Sequence, residues 1–114
     1  MSGDGIFPHT ERENIMQKFL SEFEEFCITP GIESGKARSY AKAIEYLCDY
    51  LNITVIDTNA ISYLRSIEND VKDKNSSFYN DLLLFLASRG QKSYLSKGWI
   101  RSGLNHLFEF VSQL

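Results

Sequence analysis

Seven of the chain's twelve lysines and arginines fall in two short runs that contain no acid. Lys36, Arg38 and Lys42 form the first run, and Arg89, Lys92, Lys97 and Arg101 the second. Ammonium and guanidinium groups gathered in this way bind anions, phosphates above all, through charge-assisted hydrogen bonds. Other chemistry is thinly provided. His9 and His106 each stand without a second histidine or cysteine at metal-ligand spacing. Cys27 and Cys48 lack Cys-x-x-Cys spacing and sit among apolar neighbours, which reads as two buried free thiols. Glu22, Glu24 and Glu25 read as a solvated acidic face, not as carboxylates paired in a desolvated cleft for acid/base work. No nucleophile elbow, phosphate loop or dinucleotide fingerprint occurs. The expectation is a chain with no catalytic residues, no metal and no cofactor.

Net charge is −3, which argues against a strong general affinity for nucleic acid. Its distribution says more than its sum. Residues 1–35 and 43–88 are acidic, while 36–42 and 89–101 carry bases alone. Each basic run opens a predicted helix. That placement opposes the helix dipole, which favours acids at the N-terminus. A helix start with basic side chains and free backbone N–H groups suits a phosphate. Tyr94 and Trp99 interleave with the second run. Trp99 could stack on a base, anchor a partner or lie in the core, and its place beside Ile100 favours burial or half-burial.

The elements that must hold these groups are helical almost throughout, because apolar residues recur at three- and four-residue steps. A tail of residues 1–9 precedes a single helical domain, 10–114. The first helix is predicted over about 11–27, opened by a Thr10–Glu13 capping box, with Ile15, Phe19, Phe23 and Phe26 as its apolar stripe. "TPG" at 29–31 ends it. A second helix follows Ser34, read as its N-cap, and runs to about Leu51. "NITVID" is a connector whose Val55 or Ile56 plugs the core. A third helix, capped by Asp57 or Thr58, spans about 58–69, with Ala60, Ile61, Leu64 and Ile67 inward. A fourth spans roughly 77–88 and stops at Arg89–Gly90. The fifth runs over about 97–113 with Ile100, Leu104, Leu107, Phe108, Val111 and Leu114 inward, after a short helical turn at 91–96. The fold class is all-α, a compact bundle of about five helices. The longest apolar run, Leu82–Ala87, is far too short for a membrane span, and the N-terminus does not read as a signal peptide, so a cytoplasmic protein is expected.

Two stretches resemble a known family. "ESGKARSYAKAIEYLCDYL" (33–51) is similar to the first helical signature of the core-binding domain of tyrosine recombinases and phage integrases. Tyr40 matches its tyrosine, and Tyr46, Leu47, Tyr50 and Leu51 its hydrophobic end. "SKGWIRSGLNHLFEFV" (96–111) resembles that family's last helix through Ser102, Gly103, Leu104, Leu107, Phe108, Phe110 and Val111. "IDTNAISYLRSI" fits the helix between them, so the likeness covers about residues 15–113. Lys36 stands where the family usually has Thr, and Asn105 where an Arg is common. The resemblance implies a SAM-like helical bundle forming half of a clamp around duplex DNA, an accessory to a catalytic domain. Similar modules precede nuclease domains in some restriction-type proteins. Lys36, Arg38 and Lys42 would then meet phosphates on one side, and Lys92, Lys97 and Arg101 on the other. Set against this are an acidic helical module for protein–protein interaction or dimerisation, and a regulator that mimics the recombinase domain.

Overall fold

Among the described residues six α-helices follow from this periodicity: α1 (Pro8–Cys27), α2 (Ser34–Leu51), α3 (Thr58–Lys72), α4 (Ser77–Ala87), α5 (Ser93–Ser96) and α6 (Trp99–Val111). The computed structural model describes the backbone of residues 8–114 and the side chains from Asn14 onward. Among the described residues there is no strand, only an isolated bridge between Thr29 and Ile32 at the α1–α2 turn. The all-α bundle expected from the spacing is the fold observed. The anticipated turn before the last helix is the single-turn α5.

The helix boundaries have local causes. The α1 backbone is already helical at Pro8, ahead of the expected start at about residue 11. The Thr10–Glu13 capping box and the side chain of His9 lie outside the described residues. The N-cap of α2 is Glu33, not Ser34, and it makes no side-chain capping bond. Asp57 caps α3, its Oδ1 accepting from the Ala60 amide at 2.8 Å. Ser76 caps α4, its Oγ accepting from the Tyr79 amide at 3.0 Å. These two caps satisfy N–H groups that a helix start otherwise leaves without a partner. α3 runs three residues past its expected end and thereby buries Val71.

Several of the core expectations need adjustment. Ile15 is 52% exposed and Leu114 82% exposed, so neither belongs to the core. On α1 the inward stripe is Met16, Leu20, Phe23 and Cys27, one residue round from the predicted one, with Phe19 and Phe26 half-buried beside it. On α6 the chain leaves the helix after Val111, and Phe110 fills the place given to Leu114, its ring meeting Phe19, Phe23 and Phe26 at 5.2–5.8 Å. Ile61 is half-buried. Ile56 plugs the core from the connector as expected.

Helices α2 and α6 form the centre of the bundle. Ile44 and Leu47 of α2, and Ile100, Leu104 and Leu107 of α6, have no exposed surface. Each such side chain contributes about 1.5–3 kcal/mol by leaving water. The two axes approach closely at Gly103, where an added Cβ would lie 3.2 Å from the Tyr40 carbonyl oxygen and 3.4 Å from the Ile44 side chain. Gly103→Leu is therefore expected to lose about 1–3 kcal/mol through overpacking, read as a lower urea midpoint. Gly35→Ala is the contrasting case, since its Cβ would meet nothing within 4 Å. It is expected to hold or raise stability, by up to about 1 kcal/mol of helix propensity.

Candidate nucleic-acid interface

The approach at Gly103 brings the starts of α2 and α6 to the same end of the bundle. Gly103 meets Tyr40 and Ile44, and one turn earlier Trp99 lines a cavity with Lys36 and Ser39. Lys36 of the first run is thereby brought beside Trp99, which interleaves with the second.

At the start of α6 the second run opens onto a cavity of about 160 Å³. Lys97 and Arg101 line it, joined by Lys72 from the end of α3 and Lys74 from the α3–α4 turn. The path from α5 into α6 depends on Gly98, whose φ of +80° is a conformation side-chain-bearing residues rarely adopt. The turn is held by the Lys97 amide donating to the Ser93 carbonyl at 2.9 Å and the Gly98 amide to that of Leu95 at 3.0 Å. Arg101 folds back over it, with Nη2 3.7 Å from where a Cβ on Gly98 would stand. Gly98 offers no side chain to cap α6, so the first N–H groups of that helix have no side-chain acceptor.

The four cations are held differently. Lys72 donates to Glu68 Oε2 at 2.6 Å and to Asn105 Oδ1 at 3.2 Å, which offsets part of its charge. Lys97 Nζ lies 5.4 Å from the centre of the Trp99 ring, a cation–π contact that leaves its hydrogens available. Lys74 sits in a stiff turn. There Asp73 Oδ1 accepts from the Asn75 amide at 2.9 Å, Ser76 Oγ donates to the Asp70 carbonyl at 2.7 Å, and Asn80 Nδ2 donates to the Lys74 carbonyl at 3.3 Å.

The other candidate residues are dispersed. Lys92 is exposed at the N-cap of α5 and does not line the basic cavity. Arg89 lies over the Phe85 ring at 4.3 Å. Lys36 borders a separate cavity with Trp99, while Arg38 and Lys42 turn toward α1, sharing a third with Gln17, Glu24 and Glu45. Lys42 pairs with Glu45 at 3.8 Å, and Gln17 Nε2 donates to the same carboxylate at 3.2 Å. The first run is thus split between two faces of α2. Lys72 and Lys74 were hidden in the sequence because they belong to a segment whose net charge is negative, and only the return of α3 to α6 reveals them.

His106 is half-buried, its ring stacked on Tyr40 at 4.9 Å, with Nδ1–H donating to the Ser102 carbonyl at 2.8 Å. Among the described residues no three His, Cys, Asp or Glu side chains gather as a metal site requires, and no helix is long and apolar enough to cross a membrane. Comparison of the chain with protein-family models, curated proteins and solved structures finds no match.

Both cysteines are free and buried, as their surroundings in the sequence suggest. Burial, with Glu109 and Glu24 near Cys27 and Asp49 and Glu45 near Cys48, pushes each thiol from the ordinary 9.0 up to about 12. The thiolate population at neutral pH falls about a thousandfold. Native protein is expected to resist an aromatic disulfide reagent at pH 8, and to release two equivalents of chromophore only in denaturant. Rapid native-state release would show these thiols to be accessible.

Proposed function

We propose that this chain is a non-catalytic helical module that holds duplex DNA by its phosphates. It would work in the cytoplasm as the accessory, core-binding-type domain of a recombinase, integrase or nuclease. The observation that carries the reading is the convergence of Lys72, Lys74, Lys97 and Arg101 on one cavity at the start of α6. Cations at a helix N-terminus lower stability, because they face the positive end of the dipole. An anion seated among them reverses that sign. The capping pattern points the same way. α3 and α4 have side-chain caps, whereas α2 and α6, the helices with basic starts, have none. Phosphate contacts of this kind position a protein on DNA without reading sequence.

In this reading the phosphate surface centres on Lys97 and Arg101, extends to Lys72 and Lys74, and reaches Lys36 across Trp99. Lys92 is at its margin. Arg38 and Lys42 lie beside Glu24 of α1 and Glu45 of α2 and contribute less.

A second reading has an observation of its own. Phe19, Ile56, Ile61, Val111 and Leu114 line an apolar cavity of about 460 Å³ on the opposite end of α6, and Leu114 is largely exposed. Such a face suits self-association or a protein partner. A stable dimer by light scattering, with no DNA bound, would select it.

The measurement is anisotropy of a labelled blunt duplex titrated at several salt concentrations. Affinity is expected to fall log-linearly with salt, and Lys97→Ala or Arg101→Ala to flatten the slope by about one phosphate contact each. Arg38→Ala and Lys42→Ala are expected to change it less. No binding at low salt, or unchanged binding after replacing Lys72, Lys74, Lys97 and Arg101 together, would sink the proposal.

A further inference from the structure

The phosphate reading leaves a second concavity unexplained. On the other side of the Lys97–Gly98–Trp99 turn is a cavity of about 420 Å³, walled by the Trp99 indole, Ser39, Gly31 and Gly35, with Lys36 and Glu33 on its rim. It differs from its basic neighbour in kind. It is larger, it is lined by one base and one acid, and one of its walls is aromatic. A phosphate gains little there, while a flat, uncharged ring gains a stacking surface.

The indole is held so that it can serve as one. Tyr94 meets it edge-on at 4.9 Å and 71°, and Tyr46 of α2 meets Tyr94 edge-on at 4.9 Å and 85°. Those contacts brace the ring from the α5 side. On the α2 side the wall is cut back, since a Cβ built on Gly31 or Gly35 would meet nothing within 4 Å. Lys97 lines the basic concavity, and its Nζ stands 5.4 Å from the centre of the indole that walls the other. A phosphate bound at Lys97 therefore brings its own nucleotide within reach of Trp99. A base inside a duplex is already stacked and cannot enter; an unpaired one can.

We propose that the cavity beside Trp99 receives an unpaired nucleobase of DNA, stacked on the indole while Lys97 and Lys36 hold the flanking phosphates. This rests on the phosphate reading above. Glu33, the acid on the rim, accepts a hydrogen bond from an exocyclic amino group, so cytosine and adenine suit the site better than thymine. The partner favoured is a duplex with a single-stranded tail or junction.

The test uses the full chain at low salt, with a blunt duplex and the same duplex extended by a short single-stranded cytosine tail. The tailed duplex is expected to bind about tenfold tighter, as stacking of one base allows, and to quench the emission of Trp99, the chain's single tryptophan. Gly35→Leu projects a side chain from open space into the cavity and keeps Trp99 in place. It is expected to abolish the tail's advantage while leaving blunt-duplex affinity unchanged. Equal affinity for the two duplexes, or a tail preference that survives Gly35→Leu, overturns the base site and leaves the phosphate reading standing. Failure of both duplexes to bind overturns both.

Discussion

Gly103 carries no side chain, and the space a β-carbon would take is 3.2 Å from the Tyr40 carbonyl. That approach lets α6 lie along α2 with both helices starting at one end. The packing on either side of it is apolar and without exposed surface, from Ile44 and Leu47 to Ile100, Leu104 and Leu107. Interiors this dense do not yield continuously, so the relative position of the two helix starts is set by the core. The Lys97–Gly98–Trp99 turn inherits its place from this packing. So does Lys72, which reaches α6 through its bond to Asn105. The core says nothing about a ligand, yet it decides which charges meet.

The charges that meet do so at a cost. An acidic chain concentrates cations where the α6 dipole is positive, and it leaves that helix start without a side-chain cap. Elsewhere the molecule follows the stabilising rule, with Asp57 and Ser76 capping α3 and α4. Natural chains depart from local rules mostly where function requires it, and among the described residues this departure falls at the starts of α2, α5 and α6. Asn105 adds to the pattern. It is uncharged, and it accepts a hydrogen bond from the Lys72 ammonium. The positive charge at that flank of α6 comes from α3 instead.

Much of the fold was legible because helix periodicity is a local property. The inward faces of α2 and α6, the Asp57 cap, the Ile56 plug and the turn before α6 all follow from neighbours within a few residues. The errors came where a choice between adjacent faces depended on a partner distant in sequence. Ile15 and Met16 are both apolar, and only the packing of α1 against α2 and α6 makes the row of Met16 the inward one. Leu114 continues the α6 periodicity, but the helix stops at Val111 before that residue can turn inward. The site was legible in the same partial way. Lys97 and Arg101 announced themselves as an acid-free run, whereas Lys72 and Lys74 are masked by Glu68, Asp70 and Asp73. Arg38 and Lys42 belong to a run as clear as the other, yet α1 brings Glu24 beside them and α2 itself supplies Glu45 one turn on.

Gly98 is the residue in which fold and function are hardest to separate. Its positive φ turns the chain between α5 and α6, and the same reversal sends Lys97 and Trp99 to different concavities while keeping the ammonium 5.4 Å from the ring. A residue with a β-carbon would strain the turn at this positive φ, although the Arg101 guanidinium leaves it room. A single backbone conformation thus creates a cationic cavity and an aromatic one side by side. A nucleotide has the same division, an anionic phosphate on one side of its sugar and a flat ring on the other. The correspondence needs no motion of the protein, since both walls are already braced by the packing of Tyr46, Tyr94 and the α3–α4 turn. Preformed sites of this kind spend little binding energy on ordering themselves, which is what a small helical module needs if a few contacts are to hold DNA.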